Sequence, residues 1–324
     1  MPSSPPPRLS IVIPTHGTRE LTLRCLESLE RSAPPETEIL LVDDGSRDGT
    51  AEAIATRFPS VRVLRNEEPA GFTRAANQGL ETARGILLLL LNSDTEVEPP
   101  ALDALAARFA ADTSLGVVGA ALHYPDGSPQ WSGGAEPSLA WFFALSSGLP
   151  ALLRRLPFYR RIRPLAAEAG PRRVGWVTGA ALAIRREAWE AAGPLDERFR
   201  FYGQDLDLCL RVRQAGWEVE VAPGFRVLHH HGATIGRDSG AVGILGRQHP
   251  ALLWTDLLRW ARKHKGERWA ARAARALRWG AALRLAGRRL ARPLVPAGTR
   301  RAWDADRGPL AEALRALRQG EESR

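Results

Sequence analysis

The chain has 324 residues, is 44% hydrophobic, holds two cysteines and carries a formal charge of +9. That length and apolar content support a full globular core and exclude a disordered or fibrous chain, and two cysteines exclude a disulfide framework. The charge is lopsided: from residue 241 onward 19 basic residues face 7 acidic ones, net +12, which leaves the first 240 residues at −3, so the excess reads as a basic appendage on a mildly acidic body.

Residues 1–7 are polar and Pro-rich, unlike a secretory leader. Residues 9–13 read as a strand ended by Pro14, and Leu21, Cys25 and Leu29 line the helix that follows. A second strand, 38–42, breaks into Asp43-Asp44-Gly45-Ser46. Residues 50–58 form a helix, 61–64 a strand and 73–82 a helix. The six apolar residues 86–91 then read as a strand buried on both faces and ending in Asn92-Ser93-Asp94. This βαβαβαβ order predicts an α/β fold with a parallel sheet and right-handed crossovers.

Between 124 and 173 the pattern weakens into Pro, Gly and aromatic residues, which reads as irregular surface structure. Residues 174–184 form a small-residue-rich strand, 186–192 a helix stopped by Gly193-Pro194, 203–215 a helix, and 217–221 and 225–229 two short strands. After Gly240 the chain turns helical and Arg-rich. The longest apolar stretch, 139–153, is interrupted by Ser146, Ser147, Gly148 and Pro150, short of the roughly 20 residues a spanning helix needs. A soluble or peripheral protein of a reducing compartment is expected, with Cys25 and Cys209 as buried thiols.

Strand ends of a parallel sheet open onto one crevice, so Pro14-Thr15-His16, Asp43-Asp44 and Asn92-Ser93-Asp94 should converge there. A carboxylate such as Asp94 can hold a divalent cation; the bland alternative is a cap. Asp43-Asp44-Gly45-Ser46 taken alone is turn chemistry. Gly71 opens a helix whose N-terminus favours anions, and Ala75 and Ala76 suit packing on the sheet. The triplet His229-His230-His231 is either a solvated cluster or a source of imidazole ligands. Trp176, Thr178, Gly179 and Ala180 suit either close approach to a ligand or a tight strand.

Five ordered segments carry a resemblance: Ser10-Ile11-Val12-Ile13-Pro14-Thr15, Leu41-Val42-Asp43-Asp44-Gly45-Ser46, 66–79, 91–94 and 202–211. Over roughly residues 10–234 the chain resembles glycosyltransferase family 2, the inverting nucleotide-sugar transferases with a GT-A fold, and most of all its rhamnosyltransferase-like bacterial members that build surface polysaccharide. The resemblance implies a Rossmann-like, mostly parallel sheet flanked by helices. It implies a donor-binding half (1–123), an acceptor and catalytic half (124–237) and a helical extension (238–324).

The implied donor is a UDP- or dTDP-sugar, and the acceptor a glycan or lipid-linked intermediate. Thr15 and Pro14 line the base pocket, and Asp44, or else Asp43, accepts the base imide. Gly71, Arg74 and Asn77 lie near the nucleotide. Asp94 and His229, with His231 as alternative and Thr234 in register, hold Mg²⁺ or Mn²⁺ beside Asn92 and Ser93. Asp205 is the implied general base, and Trp176, Gly179 and Gln204 face the sugars.

Two positions depart from the family pattern, Asn92 and Gln204, where acids are usual. Asp207 reads as structural, pairing with Arg211 one helical turn on. Beyond 254, arginines at 268, 272, 275, 278, 288 and 292 keep helical spacing, with Trp269, Ala273, Ala276, Leu283 and Leu290 on another side. This suits an anionic membrane surface or a helix packed on the body, ahead of nucleic acid. A nucleotidyltransferase and a non-catalytic glycan- or membrane-binding protein are the competing classes.

Overall fold

The computed structural model describes residues 7–149, 170–199, 202–230 and 250–322. Strand β1 (Leu9–Thr15) is buried at every position, because it runs parallel between β2 (Thr37–Asp44) and β4 (Leu87–Leu91). β3 (Arg62–Asn66) pairs with β2 and ends the sheet with a half-exposed edge. The connecting helices α1 (Arg19–Ser32), α2 (Thr50–Arg57) and α3 (Phe72–Thr82) follow the predicted alternation. At Gly79 on α3 a Cβ would run into the Val12 side chain, so only glycine lets this helix lie so close to β1.

The second half of the sheet departs from the simple parallel expectation. β5 (Thr95–Val97), α4 (Ala101–Ala111) and β6 (Leu115–His123) were not legible as elements. The full order is β3-β2-β1-β4-β10-β6-β11-β5, with β10 (Ala181–Arg185) antiparallel to both β4 and β6, and β11 (Glu218–His229) parallel to β6 and antiparallel to β5. The predicted strand over 174–184 is two pieces. β9 (Trp176–Val177) pairs with β7 (Gly133–Gly134) in a separate ribbon, and the chain turns at Gly179-Ala180 before β10. The two strands expected over 217–229 are one, bent by an irregularity between Ala222 and Arg226, where Pro223-Gly224 interrupts the ladder. β8 (Arg172–Arg173) adds a short pairing to β11. The apolar run at 86–91 starts its strand one residue late, leaving Ile86 47% exposed.

Helix α5 (Leu139–Ser147) lies in the stretch read as irregular. α6 (Arg186–Ala192) and α7 (Gln204–Gln214) match expectation, and on α7 Asp207 pairs with Arg211 at 2.8 Å. That guanidinium also donates to the carbonyls of Ala192, Gly193 and Pro194, closing the end of α6. Burial raises both thiols, Cys25 and Cys209, to about 12, so they stay protonated.

The chain forms two compact units. The first gathers the described residues of 1–136, 164–200 and 204–231, and the second those of 137–163, 201–203 and 232–324. The second unit is helical: α5, α8 (Pro250–Lys265), α9 (Glu267–Ala291), a 3₁₀ turn (Arg292–Leu294), α10 (Ala297–Ala305) and α11 (Arg307–Glu322). Gly280 on α9 meets Ser146 and the Phe143 carbonyl of α5, an approach that a side chain would block. Trp269 stacks edge-on to Phe142 and Trp260. The tail therefore does not sort into one Arg face and one apolar face. Trp269 and Ala273 turn into the helical unit while Leu283 and Leu290 stay exposed. Among the described residues no helix is long and apolar enough to cross a membrane.

Candidate active site

Strand directions bring the sequence-predicted residues together. β1, β2, β4, β6 and β11 all run one way, so Thr15, Asp44, Asn92, His123 and His229 leave the sheet at one edge. β5 and β10 run the other way and begin at that edge, directly after Asp94 and Ala180. Two backbone hydrogen bonds stitch the middle: Asn92 N–H donates to the Ala180 carbonyl (2.9 Å) and Gly179 N–H to Asp205 Oδ2 (3.0 Å). Asn92 and Asp205, far apart in sequence, thus flank one short turn, with Asp94 two residues on from Asn92.

Asp94 is buried, and its Oδ1 lies 3.4 Å from Nε2 of buried His229. Gln130 sets the state of that ring. Its Nε2 donates to the carbonyls of His123 and His229, which points its Oε1 at His229 Nδ1, 2.9 Å away. Nδ1 therefore carries the proton, and in the neutral ring the Nε2 lone pair faces Asp94. Two donors each about 2.1 Å from one octahedral ion lie about 3 Å apart, so this pair fits a hard divalent cation. Among the described residues no cluster of three or more acidic, His or Cys side chains exists, so a cation here would need ligand oxygens from elsewhere. His230 instead pairs with Glu96 (2.8 Å), while His231 and Thr234 lie outside the described residues.

Asp205 opens α7 and receives N–H bonds from Gly179 and from Leu206 (2.8 Å). Burial pushes its carboxyl above the usual range, outweighing those donors. Among the described residues, buried Gln204 beside it has no partner for Oε1, and the buried Asn92 Oδ1 likewise has none. Trp176 is buried, its indole N–H bonded to the Ala135 carbonyl and its ring edge-on to Trp131.

On the β1–β2 side, Asp44 is spent on the chain. Its Oδ1 accepts from Asn66 Nδ2 (2.9 Å) and Ala70 N–H (2.8 Å), and its Oδ2 from Gly71 N–H (2.8 Å). These bonds fix the loop that opens α3, where Gly71 adopts φ +96°, a conformation other residues resist. Asp43 is fully buried, with Oδ1 accepting from Ser46 N–H and Oδ2 3.8 Å from Arg65 Nε. Thr15, Thr18 and Thr22 share hydroxyl contacts that reach Ser93 through Thr18 (3.1 Å). Asn77 clamps both N–H and C=O of Leu195, and Arg74 pairs with Glu197 (3.0 Å), so these two tie α3 to 195–197. Pro14 lies inside β1, in register with Val42.

Gln130 is the site residue that sequence reasoning missed. It sits in a Pro/Gly-rich stretch with no periodicity to mark it.

Residues 10–188 match the family description Glycosyl transferase family 2. The chain belongs to glycosyl transferase family 2. Within this family of transferases, the N-acetylglucosaminyl-diphospho-decaprenol L-rhamnosyltransferase of Mycobacterium tuberculosis is 31% identical over 245 residues, 71% of this chain and 78% of that one. The O-antigen biosynthesis protein RfbC of Myxococcus xanthus is 31% identical over 232 residues, 70% of this chain and 18% of that protein. The solved mannosyltransferase PcManGT from Pyrobaculum calidifontis, in complex with GDP-Man and Mn²⁺, aligns with TM-score 0.53 at 20% identity, covering 96% and 87% of the two chains. The mixed α/β sheet flanked by helices is of the GT-A type, and this glycosyl transferase family 2 member is an enzyme.

Proposed function

We propose that the protein transfers a sugar, with inversion, from a UDP- or dTDP-sugar to a hydroxyl of a lipid-linked glycan during bacterial surface polysaccharide synthesis. In this proposal it works as a peripheral protein on the cytoplasmic face of the membrane. Residues 1–123 take the donor, 124–237 the acceptor, and 238–324 form an extension. The rhamnosyltransferase relative supports the substrate class, since its name specifies a decaprenol-linked acceptor.

The observation that carries the mechanism is the Gly179-Ala180 turn, which bonds to Asn92 on one side and Asp205 on the other. As the acceptor oxygen bonds to the anomeric carbon and the bond to the diphosphate breaks, Asp205 takes the hydroxyl proton. A pKa raised by burial makes that carboxylate a stronger base than an exposed one. A divalent ion on Asp94 and His229, its shell completed by donor oxygens, would supply neutralising charge for the departing diphosphate.

In this reading Asp44 fixes the loop that opens α3 through its bonds from Ala70 and Gly71 N–H, and Thr15 and Asp43 take the base. Gln204, Trp176 and Gly179 then belong to the acceptor side. Nucleoside diphosphate release across a donor panel tests these roles. Asp205→Asn and Asp94→Ala should each lower turnover severely, and undiminished turnover in both variants would defeat them.

A further inference from the structure

Among the arginines of α9 and the 3₁₀ turn after it, two groups behave differently. Arg284 and Arg288 both bind Asp306 (2.6 and 2.7 Å), and Arg292 binds Asp304 (2.7 Å), so these hold α9 to the helices that follow. Arg268, Arg272 and Arg275 are exposed, and no carboxylate among the described residues pairs with them. At 3.6 residues per turn, these three share one face of α9, within about 80°, with Trp279, Leu283 and Leu290. Trp279 is 72%, Leu283 45% and Leu290 79% exposed, and Leu294 in the next turn is 86% exposed. The opposite face, with Ala270, Ala273, Ala274, Leu277 and Ala281, is the one buried within the helical unit.

A solvent-facing stripe of three cations, a tryptophan and three leucines is not explained by packing. We infer that this stripe is a bilayer-docking surface that seats α9 flat on an anionic lipid membrane. Trp279, Leu283, Leu290 and Leu294 enter the headgroup boundary, and Arg268, Arg272 and Arg275 meet lipid phosphates. The charge selects this occupant, because residues 241–324 carry +12 while residues 1–240, at −3, give lipid phosphate little reason to bind elsewhere. The inference rests on the membrane-side reading of the proposed function and names the surface that serves it.

The test uses the full-length protein and sedimentation with vesicles of phosphatidylcholine, with and without phosphatidylglycerol. Binding should require phosphatidylglycerol and weaken with added salt. Replacing all three arginines by Gln should reduce partitioning by about a hundredfold, and Trp279→Ser with Leu290→Ser should abolish it. Both variants should keep their thermal melting and their nucleoside diphosphate release with a water-soluble acceptor. Absence of wild-type binding, or binding unchanged in the variants, overturns the inference. So does a concentration-dependent dimer that Leu290→Ser dissociates, since that gives the stripe to a second copy. Vesicle binding without any sugar transfer would leave the surface standing and remove the proposed reaction.

Discussion

At the scale of single residues, burial tunes Asp205, the proposed proton acceptor. Its carboxyl is raised by desolvation despite the backbone donors around it. Because the base must be ionised, kcat should rise with pH through that raised pKa, with its acidic limb above the value of about 3.9 of a free Asp. Asp205→Asn should remove the limb and lower kcat about a thousandfold at nearly constant donor KM. Gln130 acts one shell further out. Gln130→Leu, which deletes the acceptor at His229 Nδ1, should weaken Mn²⁺ binding in the presence of nucleoside diphosphate by about 10- to 100-fold. Gln130→Glu, which keeps that acceptor but loses both donations to the His123 and His229 carbonyls, should recover only part of the affinity in the same titration. Asp94, His229 and Asp205 could be named as candidates from sequence because the family resemblance covers them and Asp94 follows a strand end. Gln130 could not, because its role depends on where two distant carbonyls lie.

Helices and strands were legible in proportion to how far their own residues decide them. The first four strands and their helices follow from apolar runs and punctuation, since each is satisfied by neighbours close in sequence. β6 and β10 pair across long separations, and an antiparallel insertion into a parallel sheet leaves no periodic trace. The turn at Gly179-Ala180 hid inside an unbroken run of small residues for the same reason. Close packing is equally contextual: Gly79 looks like a flaw in a helix until Val12 is seen beneath it. Gly79→Leu should force α3 off β1 and cost about 1–3 kcal/mol, read from the urea midpoint at unchanged slope.

For the whole molecule, convergence of strand ends on one edge means that donor and ion should stabilise the fold together. Nucleoside diphosphate plus Mn²⁺ at 100 times the dissociation constant should add about 2.7 kcal/mol of stability. In thermal melts the gain should exceed that from either alone, and Asp94→Ala should lose the Mn²⁺-dependent part. The charge division was visible from composition, whereas which arginines serve packing and which face solvent was not. Asn92 and Gln204 have a consequence that reaches beyond architecture. Each holds an amide oxygen away from water with nothing among the described residues donating to it, and such an oxygen is a standing cost until a hydrogen arrives. A sugar bearing a hydroxyl at that point relieves the cost, while a deoxygenated one leaves it in place. Selectivity in this enzyme would then come from rejecting what is missing a group rather than from excluding what is too large.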